Sequence, residues 1–371
     1  MIAPEGWEVK RLGKVAELQR GFDLPNAQRI EGRVPIVSSG GITGFHNEPK
    51  VKAPGIVTGR YGSIGDVFYV QEDFWPLNTA LWVKDFHGNH PKFLYYLLSC
   101  FDFNKFSDKT GVPGVNRNDL HAVKVRVPPL PEQKKIAQIL STWDKAITTT
   151  EQLLVNSQQQ KKALMQQLLT GKKRLPGIGG EWKEVQTLNF GRVITGCTPP
   201  KSEVENYGGE ICWVTAEDFN GKYIGNTAVK LTQLGANKAR IVPKDSVLVT
   251  CIASIGKNAI AQIDLATNQQ INAIVVNKNY NNEFVFYIIE LCKNKLIAWA
   301  GTTAVPILNK SSFEKIKFLV PELLEQQKIA SVLSTADCEI EALQQKLDCL
   351  KQEKKALMQQ LLTGKLRVTV I

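Results

Sequence analysis

The sequence predicts a mixed α/β (α+β) protein in which two globular domains are separated by two long helices, and three observations predict it. The phrase KKALMQQLLTGK is written twice, at 161–172 and at 354–365, 193 positions apart. The segments before it, VPPLPEQKKIAQILSTWD from Val127 and VPELLEQQKIASVLSTAD from Val320, keep the same offset without a gap. An internal repeat of this length governs the whole topology. Thirdly, stretches such as IVTGRYGSIGDVFYV and DSVLVTCIASIGKNAIAQI alternate apolar and polar residues between turn glycines, which is strand patterning. The order is a first globule over 1–129, a helical region over 130–175, a second globule over 176–320 and a second helical region over 321–371.

Each helical region carries a heptad seam. Steps of four and three give Ile329, Leu333, Ala336, Ile340, Leu343, Leu347, Leu350, Lys354, Leu357 and Leu361 in the second. The same walk in the first gives Ile136, Leu140, Trp143, Ile147, Thr150, Leu154, Ser157, Lys161, Leu164 and Leu168, a poorer seam. Pro131 near the start and Thr170-Gly171 and Thr363-Gly364 near the ends bracket helices of roughly 40 residues, about 58 Å long at ~1.5 Å per residue. An apolar seam left in water forfeits its stabilisation, so the two helices are expected to pair with each other as an antiparallel coiled coil. That pairing would give the direct repeat a pseudo-twofold relation and place the globules at opposite ends.

The globules match more loosely. Trp7 and Trp182 open them, and KFLYYLLSC from Lys92 and EFVFYIIEL from Glu283 read as equivalent short amphipathic helices. The helices therefore do one job twice, and the globules do two versions of one job.

Composition bounds the function. Of the net charge of +11, residues 1–129 carry +3, 130–175 carry +5, 176–320 carry +3 and 321–371 carry none. A positive excess spread in this way suits a groove along a phosphate backbone better than a single basic tail. No apolar run approaches the ~20 residues needed to cross a bilayer, and the first residues lack a signal-peptide core, so a cytoplasmic protein is expected. The seven cysteines are scattered and never spaced as C-x-x-C, which reads as reduced packing residues.

An enzyme reading finds no support. There is no G-x-x-x-x-G-K-[ST], no G-x-G-x-x-G after a strand, and no N-P-P-F/Y or F-x-G-x-G methyl-donor pattern; Pro199-Pro200 sits in CTPPKSE. All four histidines lie in the first globule. His87-x-x-His90 with Cys100 is a weak metal pattern, read here as exposed loop histidines, so neither a catalytic nor a metal site is expected.

A binding reading fares better. Arg20, Arg60, Tyr61, Ser63, Asn78, Thr79, Asn116, Arg117 and Asn118 in the first globule have looser counterparts in Lys201, Ser254, Lys257, Gln269, Gln270, Asn309 and Lys310 in the second. Arg reads guanine and Asn or Gln reads adenine in the major groove, so these are the candidate DNA-binding residues. A coiled-coil scaffold with two protein-binding globules stays open as the alternative at this point.

The order globule, helix, globule, helix, with LPEQKKIAQIL, LEQQKIASVLSTAD and the twice-written KKALMQQLLTGK, closely resembles the specificity subunits of type I restriction-modification systems over essentially the whole chain. The second copy departs by reading PELLEQQKIA, without the proline before Glu325, which bears on how that helix starts. The resemblance implies a non-catalytic DNA-recognition subunit with two target recognition domains, each reading half of a split target in double-stranded DNA. It implies two modification subunits that bind S-adenosylmethionine and methylate adenine, and ATP-dependent restriction subunits; S-adenosylmethionine, ATP and Mg belong to those partners and no cofactor to this chain. No membrane partner is expected. The near-identical helices are expected to dock two identical partners through Gln158, Gln159, Gln160, Lys161 and Lys162 and through Lys351, Lys354 and Lys355.

Overall fold

The computed structural model describes residues 3–106, 114–301 and 305–369. The chain divides into two compact units, Met1–Gln152 with Gln344–Ile371, and Leu153–Leu343. This division cuts both long helices, so each unit is built from one globule and a piece of each helix.

The first unit contains β1 (Glu8–Arg11), β2 (Glu17–Arg20), β3 (Val34–Ser38), β4 (Gly41–His46), β5 (Gly55–Gly59), β6 (Val67–Val70), β7 (Trp75–Pro76), β8 (Ala80–Asp85), α1 (Pro91–Ser99), α2 (Arg117–Ala122) and β9 (Lys124–Val127), with the beginning of α3 (Leu130–Leu168). A four-stranded antiparallel sheet, β2-β8-β5-β6, lies beside a three-stranded sheet, β4-β3-β7, and β1 pairs with β9. Strand β5, GIVTG, is buried throughout and pairs on both edges, with β8 and β6.

The second unit holds the rest of α3, then β10 (Lys183–Gln186), α4 (Thr187–Phe190), β11 (Gly191–Thr195), β12 (Tyr207–Val214), β13 (Tyr223–Ile224), β14 (Lys230–Leu231), α5 (Gln233–Lys238), β15 (Ile241–Val242), β16 (Val247–Thr250), β17 (Asn258–Ala261), β18 (Leu265–Thr267), β19 (Ile271–Val276), α6 (Asn282–Leu291), α7 (Lys293–Ala298), α8 (Lys310–Lys315) and β20 (Lys317–Val320), and the start of α9 (Leu323–Leu361). Its main sheet runs β11-β19-β16-β17-β13, a second sheet runs β14-β12-β18-β15, and β10 pairs with β20. The order β11-β19-β16-β17 repeats β2-β8-β5-β6, so the loose sequence match between globules reflects one shared sheet plan. The KFLYYLLSC and EFVFYIIEL segments form α1 and α6, each capped by a side chain from the residue before it, His90 or Asn281.

Both long helices have 39 residues, and their first residues, Leu130 and Leu323, are 193 positions apart like the repeat itself. The absent proline in PELLEQQKIA therefore does not move the helix start. Gly171 and Gly364 adopt φ of 70° and 72° just past the ends, and each donates its N–H to the carbonyl of the last helical leucine at 3.3 Å. Glycine meets that left-handed geometry without the strain a Cβ would add.

Within the first unit the two helix pieces run antiparallel: Glu151 pairs with Lys351, Asp144 with Lys354, and Glu132 with Arg367 just past α9. Within the second unit they do so again, with Lys161 on Asp337 and Arg174, just past α3, on Glu325. The heptad positions are nowhere fully exposed. Ile136, Leu140 and Leu361 lie in the first unit's core; Leu168, Ile329 and Leu333 lie in the second's, with Leu164 packed against it. Each fully buried side chain of this kind contributes about 1.5–3 kcal/mol. The polar members of the poorer seam are accommodated locally: Thr150 donates to the Ala146 carbonyl at 2.8 Å, and Ser157 bonds Glu339 at 3.2 Å.

Candidate nucleic-acid interface

In the first unit, residues chosen from four separate stretches meet at one end of the sheet. The Arg60 and Tyr61 backbone N–H groups both donate to the Thr79 carbonyl, at 2.9 and 3.1 Å, and Val115 N–H donates to the Arg60 carbonyl at 2.9 Å. The Arg60 guanidinium stacks on the Tyr61 ring at 4.4 Å and donates to the Asn78 carbonyl at 3.4 Å. The Asn78 amide bonds Asp23, which also holds Arg20 at 3.1 Å. Tyr61 is 43% exposed, so the stacked pair presents a flat cationic face to solvent. Ser63, Arg117 and Asn118 are exposed nearby in sequence.

The second unit closes its loops in the same way with other side chains. Cys251 N–H donates to the Gln270 carbonyl at 2.7 Å, and Leu308 N–H donates to the Cys251 carbonyl at 2.8 Å. Isolated bridges join Tyr61 to Gly114 in one unit and Ile252 to Ile307 in the other. The structural counterparts of Arg60 and Tyr61 are therefore Cys251 and Ile252, whereas sequence comparison matched them with Ser254 and Lys257. Ser254 and Lys257 are exposed on the adjoining turn, Gln269 is exposed and accepts from Thr198, and Lys201 is exposed on another turn.

Several candidates have local structural work. Asn116 and Asn309 cap α2 and α8, accepting the N–H of Asn118 at 2.9 Å and of Ser312 at 2.8 Å. Lys310 pairs with Glu314 at 3.6 Å. Gln270 accepts from the Asn268 amide at 3.1 Å, and the Thr79 hydroxyl is buried without a partner among the described residues. The cap signal was readable in the sequence, since Asn followed by a short helical run is a standard helix start.

The docking face expected on the helices needs correction at two positions. Lys161 and Lys354 have side chains only 24% and 18% exposed and hold Asp337 and Asp144. Around each pair a partly buried network repeats. Tyr96 donates to Asp144 and contacts Ser141 at 3.1 Å, as Tyr287 donates to Asp337 and contacts Ser334 at 3.2 Å. Burial first, and then the carboxylate, push both tyrosine hydroxyls above their ordinary value, so they remain donors. The first lysine of the repeated KKALMQQLLTGK phrase therefore has an intramolecular role: each copy's lysine binds the other copy's aspartate. Gln158, Gln159, Gln160, Lys162, Lys351 and Lys355 are exposed.

A second reciprocal contact was not anticipated. Glu132 accepts from the Trp7 indole at 2.9 Å and from Arg367 at 2.8 and 3.0 Å. Burial raises this carboxyl, but those hydrogen bonds outweigh it and hold Glu132 below the usual carboxylate range. Glu325 is held equivalently by Arg174 at 2.6 and 2.7 Å. The neighbouring glutamines, Gln133 and Gln326, accept from the His90 and Asn281 backbone N–H groups at 2.8 and 3.0 Å, which explains why E-Q recurs as a pair.

His90 and Cys100 do not join His87 in a ligand set. Among the described residues the acidic and histidine groups that converge, with donor atoms within 4.8 Å, are Glu17, Asp85 and His87. Two of them are engaged, Glu17 by Lys84 at 3.6 Å and Asp85 by the His87 N–H at 2.7 Å. No described helix is long and apolar enough to cross a membrane.

Comparison with known proteins agrees with this architecture. A model of the type I restriction modification DNA specificity domain matches residues 4–156 and again 179–352. The MjaVIII specificity subunit of a type I restriction enzyme from Methanocaldococcus jannaschii is 27% identical, over 98% of this chain and 94% of its own. The solved S subunit of the type I restriction-modification system of M. genitalium superposes with a TM-score of 0.68 at 17% identity, covering 96% of both chains. A chain from a structure of type I complex assembly and conformational transition gives 0.61 at 18% identity over 99% of this chain and all of that one. With two matches of the family model on one repeated fold, the chain belongs to the type I restriction-modification DNA specificity family.

Proposed function

We propose that the chain is the non-catalytic recognition subunit of a methyltransferase and endonuclease complex, each globule reading one half of a split target in double-stranded DNA. The observation that carries this reading is the loop convergence that recurs in both units with different side chains at its centre, Arg60 and Tyr61 in one and Cys251 and Ile252 in the other. Equal scaffolds with unlike tips suit two readers of two unlike sequences. Arg60 offers the bidentate fork that recognises guanine, and Gln269 the amide that recognises adenine.

The paired helices fix the number of unspecified base pairs between the half-sites, and half-sites on one face of the duplex recur about every 34 Å. Two modification subunits dock on the exposed helix faces, which include Gln158, Lys162, Lys351 and Lys355, and ATP-dependent restriction subunits join them. S-adenosylmethionine, ATP and Mg are held by those partners, and the complex works in the cytoplasm. Flipping the target adenine requires the duplex to be gripped on both sides, which is the task of the two globules. Sequencing the methylated genome of cells that carry this chain with its modification subunit tests the reading: a modified, interrupted motif is expected, and an uninterrupted motif or none contradicts it. Charge reversal at Lys162 and Lys355 is expected to weaken the two-to-one complex in a pull-down.

A further inference from the structure

We infer that the first unit holds a dedicated phosphate-binding pocket for the DNA backbone, beside α2 and separate from the loops that read bases; the inference rests on the DNA-reading function proposed above. A cavity of about 450 Å³ is lined by Arg11, Lys14, Arg117, Asn118, His121 and Glu17, among others. Three cations face one carboxylate there, and that carboxylate already has Lys84 at 3.6 Å. Neither Arg11, Lys14 nor Arg117 has an ion-pair partner among the described residues, and Arg117, a base-reading candidate by sequence, is assigned here to the phosphate instead.

The imidazole at the back is arranged to donate. His121 Nε2 accepts the Leu18 N–H at 2.9 Å, which leaves Nδ1 to carry the proton of the neutral ring. Gly13 permits this placement, because a Cβ there would lie 2.8 Å from the ring. Burial first, and then Arg117, hold His121 below its ordinary value, which agrees with a neutral donor. Two arginine forks, an ammonium, an amide and a ring N–H on a cavity wall are the donor set of a phosphodiester oxygen.

Among the described residues the second unit keeps only part of this set: Lys310, the first residue of α8, stands where Arg117 begins α2, but it is paired with Glu314 at 3.6 Å. Aligning Trp7 with Trp182 puts Gln186 and Asn189 where Arg11 and Lys14 stand. The source of the phosphate is DNA because Asn116, which caps α2, follows Val115, which bonds Arg60. One short helix therefore ties the pocket to the base-reading loops and sets it at a fixed distance from them.

The test uses the full chain in complex with its modification subunits, with Arg11→Gln/Lys14→Gln and Arg117→Gln compared to wild type. Binding to a duplex with the modified motif and to one without it is measured across a salt series. Affinity for both duplexes is expected to fall by about tenfold, and the slope of log affinity against log salt to become shallower by about 1. The methylated motif should stay unchanged, and Arg117→Lys should restore most of the slope. An unchanged slope in the variants overturns the pocket. A motif relaxed at one position overturns it too, because Arg117 would then be reading a base. Salt-independent binding by the wild type would instead remove the DNA reading itself.

Discussion

Asp144 and Lys354 are 210 positions apart in the chain and 2.5 Å apart in the structure, and Lys161 and Asp337 repeat the contact at the same distance with the copies exchanged. Each bond joins the start of one long helix to the end of the other, inside a network closed by a tyrosine from the adjoining globule. Partly buried charges of this kind are sensitive to losing one partner, because the survivor keeps its desolvation cost. A double-mutant cycle with Asp144→Asn and Lys354→Met, followed by urea denaturation, is expected to give a coupling of about 1–2 kcal/mol. Additive effects would mean that the pair only decorates the surface.

The tyrosines predict a graded effect. Tyr96→Phe removes the donor to Asp144 and leaves the ring packing intact, so a loss of about 1–3 kcal/mol is expected. Tyr287→Phe should lose less. Lys222, which bonds Glu283, Tyr287 and Ser334 at 3.0, 2.8 and 2.7 Å, softens it in the second unit. Thermal denaturation of the two variants compares them directly.

Acid should loosen the first unit through Glu132. Its folded pKa lies below the ordinary carboxylate value, so the folded state binds fewer protons than the unfolded state. The associated stability is complete above the unfolded pKa, about 4.3, and is lost as pH falls through the lower folded value. Glu132→Gln is expected to lower stability at neutral pH and to flatten the dependence below about pH 5. A wild type and variant with parallel acid curves would contradict this assignment.

Half-site specificity should separate by unit. Arg60→Ala is expected to cost about 1–3 kcal/mol of discrimination at one position in one half of the motif and to leave the other half intact. Gln269→Ala should do the reverse. Methylome sequencing of each variant reads both halves at once.

Much of this architecture was legible in the sequence because repetition and heptad spacing are local, one-dimensional signals. The helix starts, the glycine ends and the α1 and α6 segments all follow from spacing and caps. The reciprocal Asp–Lys and Glu–Arg contacts were hidden, although every residue in them belongs to the repeat. Their partners lie 151 to 235 positions away, and a lysine on a helix reads as solvated until its partner's position is known. Arg60 was singled out by residue type, but its structural counterpart, Cys251, was passed over because polar residues were matched to polar residues. Backbone hydrogen bonds define that equivalence, and they carry no side-chain signature.

The central proposal is that the length of the helical regions sets the gap between two unlike half-sites. Inserting one heptad into each helix, after Gln152 and after Leu343, and sequencing the methylated motif tests it most directly. The account predicts the same two half-sites with a longer gap between them; an unchanged gap, with the complex still active, would contradict it.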